Sequence, residues 1–339
     1  MAHKSFIQFL MASAAVLSFC LTASADAATF TSFDPAGAVE TFPYSINTSG
    51  AITGFYVTTN DKNGHGFVRA PDGTITTFDP EGSVVTDPYA INDDGRITGE
   101  YTSRNRSHSH GFIRETNGTI SVFDATKQAT YTRPEGFDAD GNIAGSFTDH
   151  KRKSRGFVRS TTGLVTVFDY PHSLVTTANS INSSGVITGL GLPKNFNHPD
   201  TGYVRTPDGV LTSFKVPGAV STQGESINGS GVIAGSYVDS NSVTHGLVRE
   251  ADGTLVPFDP KNSVETDPYA INASGSVVGI YQIGDHRDHG FLRKSSGSIK
   301  KFDAPDAVAT TPTSINAAGI VTGYYKDASG HIHGFIRTN

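Results

Sequence analysis

The chain is predicted to be all-β, a seven-bladed β-propeller with four-stranded blades, its ring closed by an N-terminal strand that completes the last blade. Three observations predict it. First, a phenylalanine recurs at Phe33, Phe78, Phe123, Phe168, Phe214, Phe258 and Phe302, at spacings of 45, 45, 45, 46, 44 and 44 residues. Second, each interval holds four short β-like segments separated by Gly, Asn and Asp turns, and a period in the forties with that content marks a propeller blade. Third, the last interval stops at "HGFIRTN" without its fourth segment, while "TFTSFD" at 29–34 is a fourth segment with no three before it. Pairing the two fragments makes one whole blade. An open array would need polar caps and would leave strand edges exposed.

Taken from the start, the chain opens with Lys4 and an apolar run from Phe6 to Leu21, followed by Ala23-Ser24-Ala25. This is the pattern of a signal peptide over 1–25, cut after Ala25 or alternatively after Ala27. The run is too short and too rich in Ala and Ser for a spanning helix, and no later segment approaches about 18 apolar residues. The expected product is secreted, extracellular or periplasmic, with no membrane span after signal removal. Cys20 is the only cysteine and lies inside the signal, behind Phe19, where a lipid-attachment motif needs a small residue. The remainder therefore has no disulfide and no cysteine metal site. Without Lys4 the balance is 25 basic residues against 32 acidic, a net charge of −7. That argues against nucleic acid as a partner, because phosphate neutralisation needs a basic surface. Residues 29–339 are expected to form the single propeller.

Within a blade, "YAIN" predicts strand one and "RITGEY" strand two, with the Asn-x-x-Gly between them, as in Asn92 and Gly95, suited to a tight hairpin. "HGFIR" predicts strand three, and a turn such as Asp72-Gly73 leads to strand four, "TITTFD". Alternation puts Ile52, Gly54 and Tyr56 on one side, with the glycine expected to leave room for a neighbouring aromatic ring. Gly191 replaces the aromatic in the fourth copy. The phrase "TDPYAIN" occurs at Thr86–Asn92 and again at Thr266–Asn272, four copies apart, and reads as scaffold written twice.

The combination "SIN..G.ITG.Y", then "HGF.R", then "FDP.G", running from Phe33 to the C-terminus, resembles the HAF-repeat family, described as extracellular bacterial repeat proteins. Gly stands for Ala in the name-giving triplet, as in His65-Gly66-Phe67. The resemblance implies a propeller of repeats and carries no reaction with it.

Residues common to the copies read as structure. Arg69, Arg114, Arg159, Arg205, Arg249, Arg293 and Arg337 end strand three, and each is expected to meet a turn carboxylate or an aromatic ring in its own blade. His65, His110, His245, His289 and His333 are expected to share a hydrogen bond with the Asp after the recurrent Phe rather than to act as acid and base. Asp138-Ala139-Asp140-Gly141-Asn142 imitates a calcium loop but lacks the distal carboxylate and occupies the ordinary hairpin turn.

The copies differ most visibly in loops on the rim shared by the two-to-three and four-to-one connections. "SRNRSHSH" and "DHKRKSR" place Arg104, Arg106, Lys151, Arg152, Lys153 and Arg155 on adjacent blades, with Tyr101 as a stacking surface. On an acidic protein this cluster fits an anionic polysaccharide, against the simpler reading of a solvated polar loop. "GDHRDHG" offers Asp285, His286, Asp288 and His289 as weak metal ligands. "GLPKNFNHPDTG" offers Phe196 as an exposed aromatic. No Gly-x-Ser-x-Gly, Walker loop, His-Glu-x-x-His or dinucleotide fingerprint is present. The leading expectation is a secreted binding module, without cofactor, for an extracellular glycan or protein. The rivals are a polysaccharide lyase, hydrolase or lactonase on a propeller, and a structural envelope or matrix protein. A pocket holding carboxylates that break the repeat, with shifted pKa values, would favour the enzyme.

Overall fold

The structure, a computed structural model, describes residues 28–104, 108–193 and 199–338. The segment read as a signal peptide, Arg106 and Phe196 lie outside them. The described residues contain 28 β-strands and no helix.

A short strand comes first, β1 (Thr29–Phe33). Four strands then pair in chain order as an antiparallel group: β2 (Ala38–Ile46), β3 (Ile52–Thr58), β4 (His65–Arg69) and β5 (Ile75–Phe78). The twenty strands from β6 (Ser83–Ile91) to β25 (Ile299–Phe302) repeat this order five times. The chain ends with β26 (Ala309–Ile315), β27 (Val321–Lys326) and β28 (Ile332–Thr338), which pair in order and lack a fourth strand of their own. β1 takes that place. It pairs antiparallel with β28 over its whole length, from Thr29 against Thr338 to Phe33 against Gly334. Single parallel bridges, such as Glu40 to Ile332, join some neighbouring groups into larger sheets.

The first hairpin of each group is set by an Asn, or in the third group by Asp138. The Asn47 carboxamide oxygen accepts the backbone N–H of Ala51 at 2.9 Å, while its Nδ2 donates to the Asn92 carbonyl in the next group at 3.0 Å. The same link runs from Asn182 to Asn228, Asn228 to Asn272, Asn272 to Asn316, and Asn316 back to Asn47. Serines one residue before the end of strand one add a parallel set. Ser45 accepts from Ile91 N–H, Ser180 from Ile227 N–H, Ser226 from Ile271 N–H, and Ser314 from Ile46 N–H.

Two glycine positions are fixed by close approach. In strand three a Cβ on Gly66, Gly111, Gly156, Gly202, Gly246, Gly290 or Gly334 would stand 2.3–2.8 Å from the recurrent Phe ring on the adjacent fourth strand. For Gly334 that ring is Phe33, on β1. In strand two the expectation of room for an aromatic ring is corrected. A Cβ on Gly54 would lie 2.0 Å from the Phe42 carbonyl, because strand one bulges between Pro43 and Ser45 and brings its backbone inward. Gly191 is the place where a ring does need the space. Its missing side chain admits Tyr170, which stacks on Tyr203 at 5.8 Å and supplies the aromatic absent from that strand two.

The core lies between the faces of successive groups. Ile52, Ile97, Ile143, Ile187, Ile233, Val277 and Val321 each begin strand two and are buried, packed against strand-three residues such as Phe67, Phe112, Phe157 and Leu247. One cluster joins Phe33, Ile46, Ile52 and Phe67 with Ile320 and Ile336, so the first group and the last share a core.

Candidate functional site

The seven recurrent arginines are staples between groups. Each guanidinium lies over the recurrent Phe on the fourth strand of the preceding group, at 4.7–5.5 Å from the ring centre: Arg69 on Phe33, Arg114 on Phe78, and so on to Arg337 on Phe302. The expected partner within the same blade is thus replaced by a ring from the neighbour. Such a contact contributes about 0.5–2 kcal/mol, more where water is excluded. The histidines are scaffold too. His65, His110, His245, His289 and His333 hold the Asp after the recurrent Phe at 2.7–3.0 Å and lie against the tyrosine of their own strand two.

Two residues of the basic rim cluster share one carboxylate. Lys153 donates to Asp169 at 2.7 Å, and Arg155, which stands where other copies have His, lies 3.8 Å from the same carboxylate. Arg104, Lys151 and Arg152 are exposed. Tyr101 is 8% exposed and packs on His110 at 5.2 Å, so its ring does not present an open face. Asp138 caps its own hairpin, accepting from Asp140 and Asn142 backbone N–H groups. In the sixth group the proposed ligands diverge: Asp285 and His289 pair at 3.4 Å, Asp288 accepts from Gln282, and His286 sits exposed in a left-handed turn.

The geometry converges elsewhere, on one open cavity of about 520 Å³ to which the first strands of all seven groups contribute. Its wall includes the residue two places before the end of each first strand: Tyr44, Tyr89, Glu135, Asn179, Glu225, Tyr269 and Thr313. The cavity therefore sits toward the first hairpins, away from the rim on which the basic loops lie. Strand-one residues on the opposite side are alike, as in Thr41, Thr86, Thr132, Thr176, Thr222, Thr266 and Thr310, all buried. One side of the strand repeats and the other does not.

One arc of the cavity wall carries the aromatic residues Tyr44, Tyr89 and Tyr324, with Phe42 and Phe55 behind them. Tyr324, Phe42, Phe55, Tyr44 and Tyr89 form a chain of rings with successive centres 4.7–5.8 Å apart, ending where the Arg133 guanidinium covers Tyr89 at 4.5 Å. Another arc carries the carboxylates and amide of Glu135, Asn179 and Glu225, with Glu100 buried behind the tyrosines. Arg133 Nε donates to Glu135 Oε1 at 2.7 Å, Asn179 Nδ2 to Glu225 Oε2 at 3.3 Å, and the hydroxyls of Tyr89 and Tyr131 both donate to Glu100 Oε1, at 3.0 and 2.6 Å. Burial pushes the Glu135 carboxyl up to about 8, with Arg133 opposing and Glu100 and Glu225 adding to the rise. Burial and the nearby Asp267 raise Glu225 to about 7. Burial alone accounts for most of the rise to about 6 at Asp87 and Asp267. Arg133 and Glu135 still touch the cavity's interior: the Arg133 side chain is 44% exposed and that of Glu135 17%.

The missed signal lay in the column before "SIN" and "AIN", where copies read Tyr, Tyr, Glu, Asn, Glu, Tyr and Thr between near-constant neighbours. "TDPYAIN" itself mixes both roles. Thr86 is buried and bonded to Asp79, whereas Asp87 and Tyr89 point to the other side of the strand, and Tyr89 lines the cavity.

No protein-family model matches the chain, and no curated protein matches it. Solved structures do. Virginiamycin B lyase from Staphylococcus aureus aligns with a TM-score of 0.61 at 15% identity, over 92% of this chain and 100% of that one. A streptogramin B lyase gives 0.58 at 14% identity, over 92% and 98%. The β-propeller domain of the Trilobed protease from Pyrococcus furiosus, described as having an open velcro topology, gives 0.63 at 12% identity, over 88% and 95%. At these identities the likeness is one of fold: the chain has a propeller-like all-β architecture.

Proposed function

We propose that this chain is an exported seven-bladed β-propeller of the HAF-repeat kind that binds a ligand in its central channel. Closure is supported by the pairing of β1 with β28, by Arg69 over Phe33, and by the Asn316 and Ser314 bonds back to the first group. The observation that carries the functional reading is the contrast between the two sides of strand one. Seven equivalent positions facing one cavity hold Tyr, Tyr, Glu, Asn, Glu, Tyr and Thr, while the positions facing the core stay the same. Repetition serves the scaffold, and departures from it in a concave, partly apolar cavity with convergent polar groups mark a ligand site.

The lining selects a ligand with one apolar face and several hydroxyls, such as a neutral or amino-bearing sugar unit. Its C–H face would lie on the aromatic arc, and its hydroxyls would reach Glu225, Asn179 and Glu135. A strongly anionic polymer fits the channel less well, because carboxylates outnumber Arg133. The test is titration of the purified protein with a panel of neutral, amino and uronic sugars, read by calorimetry. Tyr89→Ala and Glu225→Gln should each weaken the best ligand at least tenfold, and neutralising Lys151–Lys153 should leave it unchanged. Sugar binding that follows the rim lysines and ignores both channel variants would overturn the reading.

Catalysis in the same channel is the second reading. Glu135 and Glu225 supply two carboxyls that exchange protons near neutrality, as general acid and base chemistry requires. Turnover of a bound sugar polymer, lost in Glu225→Gln without loss of binding, would establish it.

A further inference from the structure

We propose that Asp327, His331 and His333 form a zinc site where the last group meets β1. A ligand atom from each of the three lies within 4.8 Å of the others, the one such trio of possible metal ligands among the described residues. The arrangement is a variation on a device the chain repeats. In the first, fifth and sixth groups the strand-three histidine has one ring nitrogen on the Asp after the recurrent Phe and the other 3.3–3.7 Å from a loop Asp: Asp61, Asp239 and Asp285. The last group keeps that pattern, with His333 Nδ1 at 2.7 Å from Asp34 and Nε2 at 3.4 Å from Asp327. It differs two residues before the histidine. Asn63, Val243 and Arg287 occupy that place in the other three, and here it is His331. A third donor is thereby added to an existing pair.

The surroundings orient these donors. Asp34 takes the Nδ1 proton of His333 and so turns the Nε2 lone pair toward Asp327, the carboxylate–histidine support that zinc ligands usually have. The Ser329 hydroxyl donates to Asp327 at 2.8 Å and touches His331 Nδ1 at 3.2 Å, tying the loop donors together. Two imidazoles and a carboxylate suit Zn²⁺, with water completing a tetrahedron on the exposed side. Asp34 follows β1 directly, so the metal would sit on the β28 side of the seam and its supporting carboxylate on the other. Zinc would then favour the docked state of β1 over the free one.

Titration of untagged protein with ZnCl₂ at pH 7.5 tests this. We expect one ion per chain, loss of saturable binding in His331→Ala, and a 10- to 100-fold weaker affinity in Asp34→Asn, which keeps all three ligands. His65→Ala, in a group with only two donors, should bind like the parent. A thermal midpoint that rises with zinc in the parent and not in His331→Ala would tie the ion to folding. No saturable one-to-one binding, or binding that survives His331→Ala, would overturn the proposal; Asp34→Asn binding as tightly as the parent would remove the seam from it.

Discussion

If β1 zips the proposed ring, Phe33→Ala should cost as much as the same change at Phe78, its counterpart on β5. Phe33 is 9% exposed, meets Gly334 where no Cβ would fit, lies edge-on to Phe67 at 6.1 Å and carries the Arg69 guanidinium at 5.1 Å. Truncating such a ring costs about 3–5 kcal/mol, and that figure includes the lost cation–π contact. For about 300 residues, an unfolding entropy of roughly 2.1 cal/mol/K per residue converts about 4 kcal/mol into a fall of about 6 °C in the thermal midpoint. Calorimetry of the parent, Phe33→Ala and Phe78→Ala in one buffer reads this directly. Equal falls are expected. A shift of under about 1 °C for Phe33→Ala, beside a full-sized one for Phe78→Ala, would mean that β1 is an ornament and that the circle of stapled groups has a gap.

Two further predictions follow from packing and from charge. Gly111→Ala should lower stability by about 1–3 kcal/mol, because its Cβ would stand 2.8 Å from the Phe123 ring and force that ring to move; an unchanged denaturation midpoint would show that the ring yields freely. For Glu135 the raised pKa means that the folded protein keeps a proton that the unfolded chain releases. Its contribution is complete below about pH 4.5 and is lost as pH rises toward about 8, on the order of a few kcal/mol across that window. Glu135→Gln should therefore gain stability relative to the parent between pH 5 and pH 8.5 in denaturant titrations, and parallel pH profiles for the two proteins would refute the assignment.

The architecture was legible because it is written in backbone terms. Glycines at hairpins, Asn before them and a recurrent Phe each answer a local steric demand, and a demand met seven times leaves a periodic trace. The His–Asp pairs were legible for the same reason. The candidate site was not, because polar variation in loops is tolerated and marks nothing, while the informative column lies inside strand one. Arg133 and Glu135 occupy a stretch that otherwise reads as a drifted copy, "TRPEGF" for "TDPYAI". Which way those side chains point depends on the bulge after Pro134, a one-residue shift of register that no alternation rule supplies. The arginines show the converse limit: their residue type was informative, but whether each reaches its own group or the next is a matter of tertiary distance.

The register that sets Thr29 beside Thr338 also brings the two ends of the folded chain together on adjacent strands, with their side-chain hydroxyls bonded. A tight turn spliced between them would make the polypeptide continuous, and a new opening could then be cut at any other link between a fourth strand and the next first strand. In the proposed ring the scaffold would have no preferred origin along its circumference. What gives the molecule an orientation is the lining of its axis, so permuted versions that share that lining should bind alike wherever their chains begin.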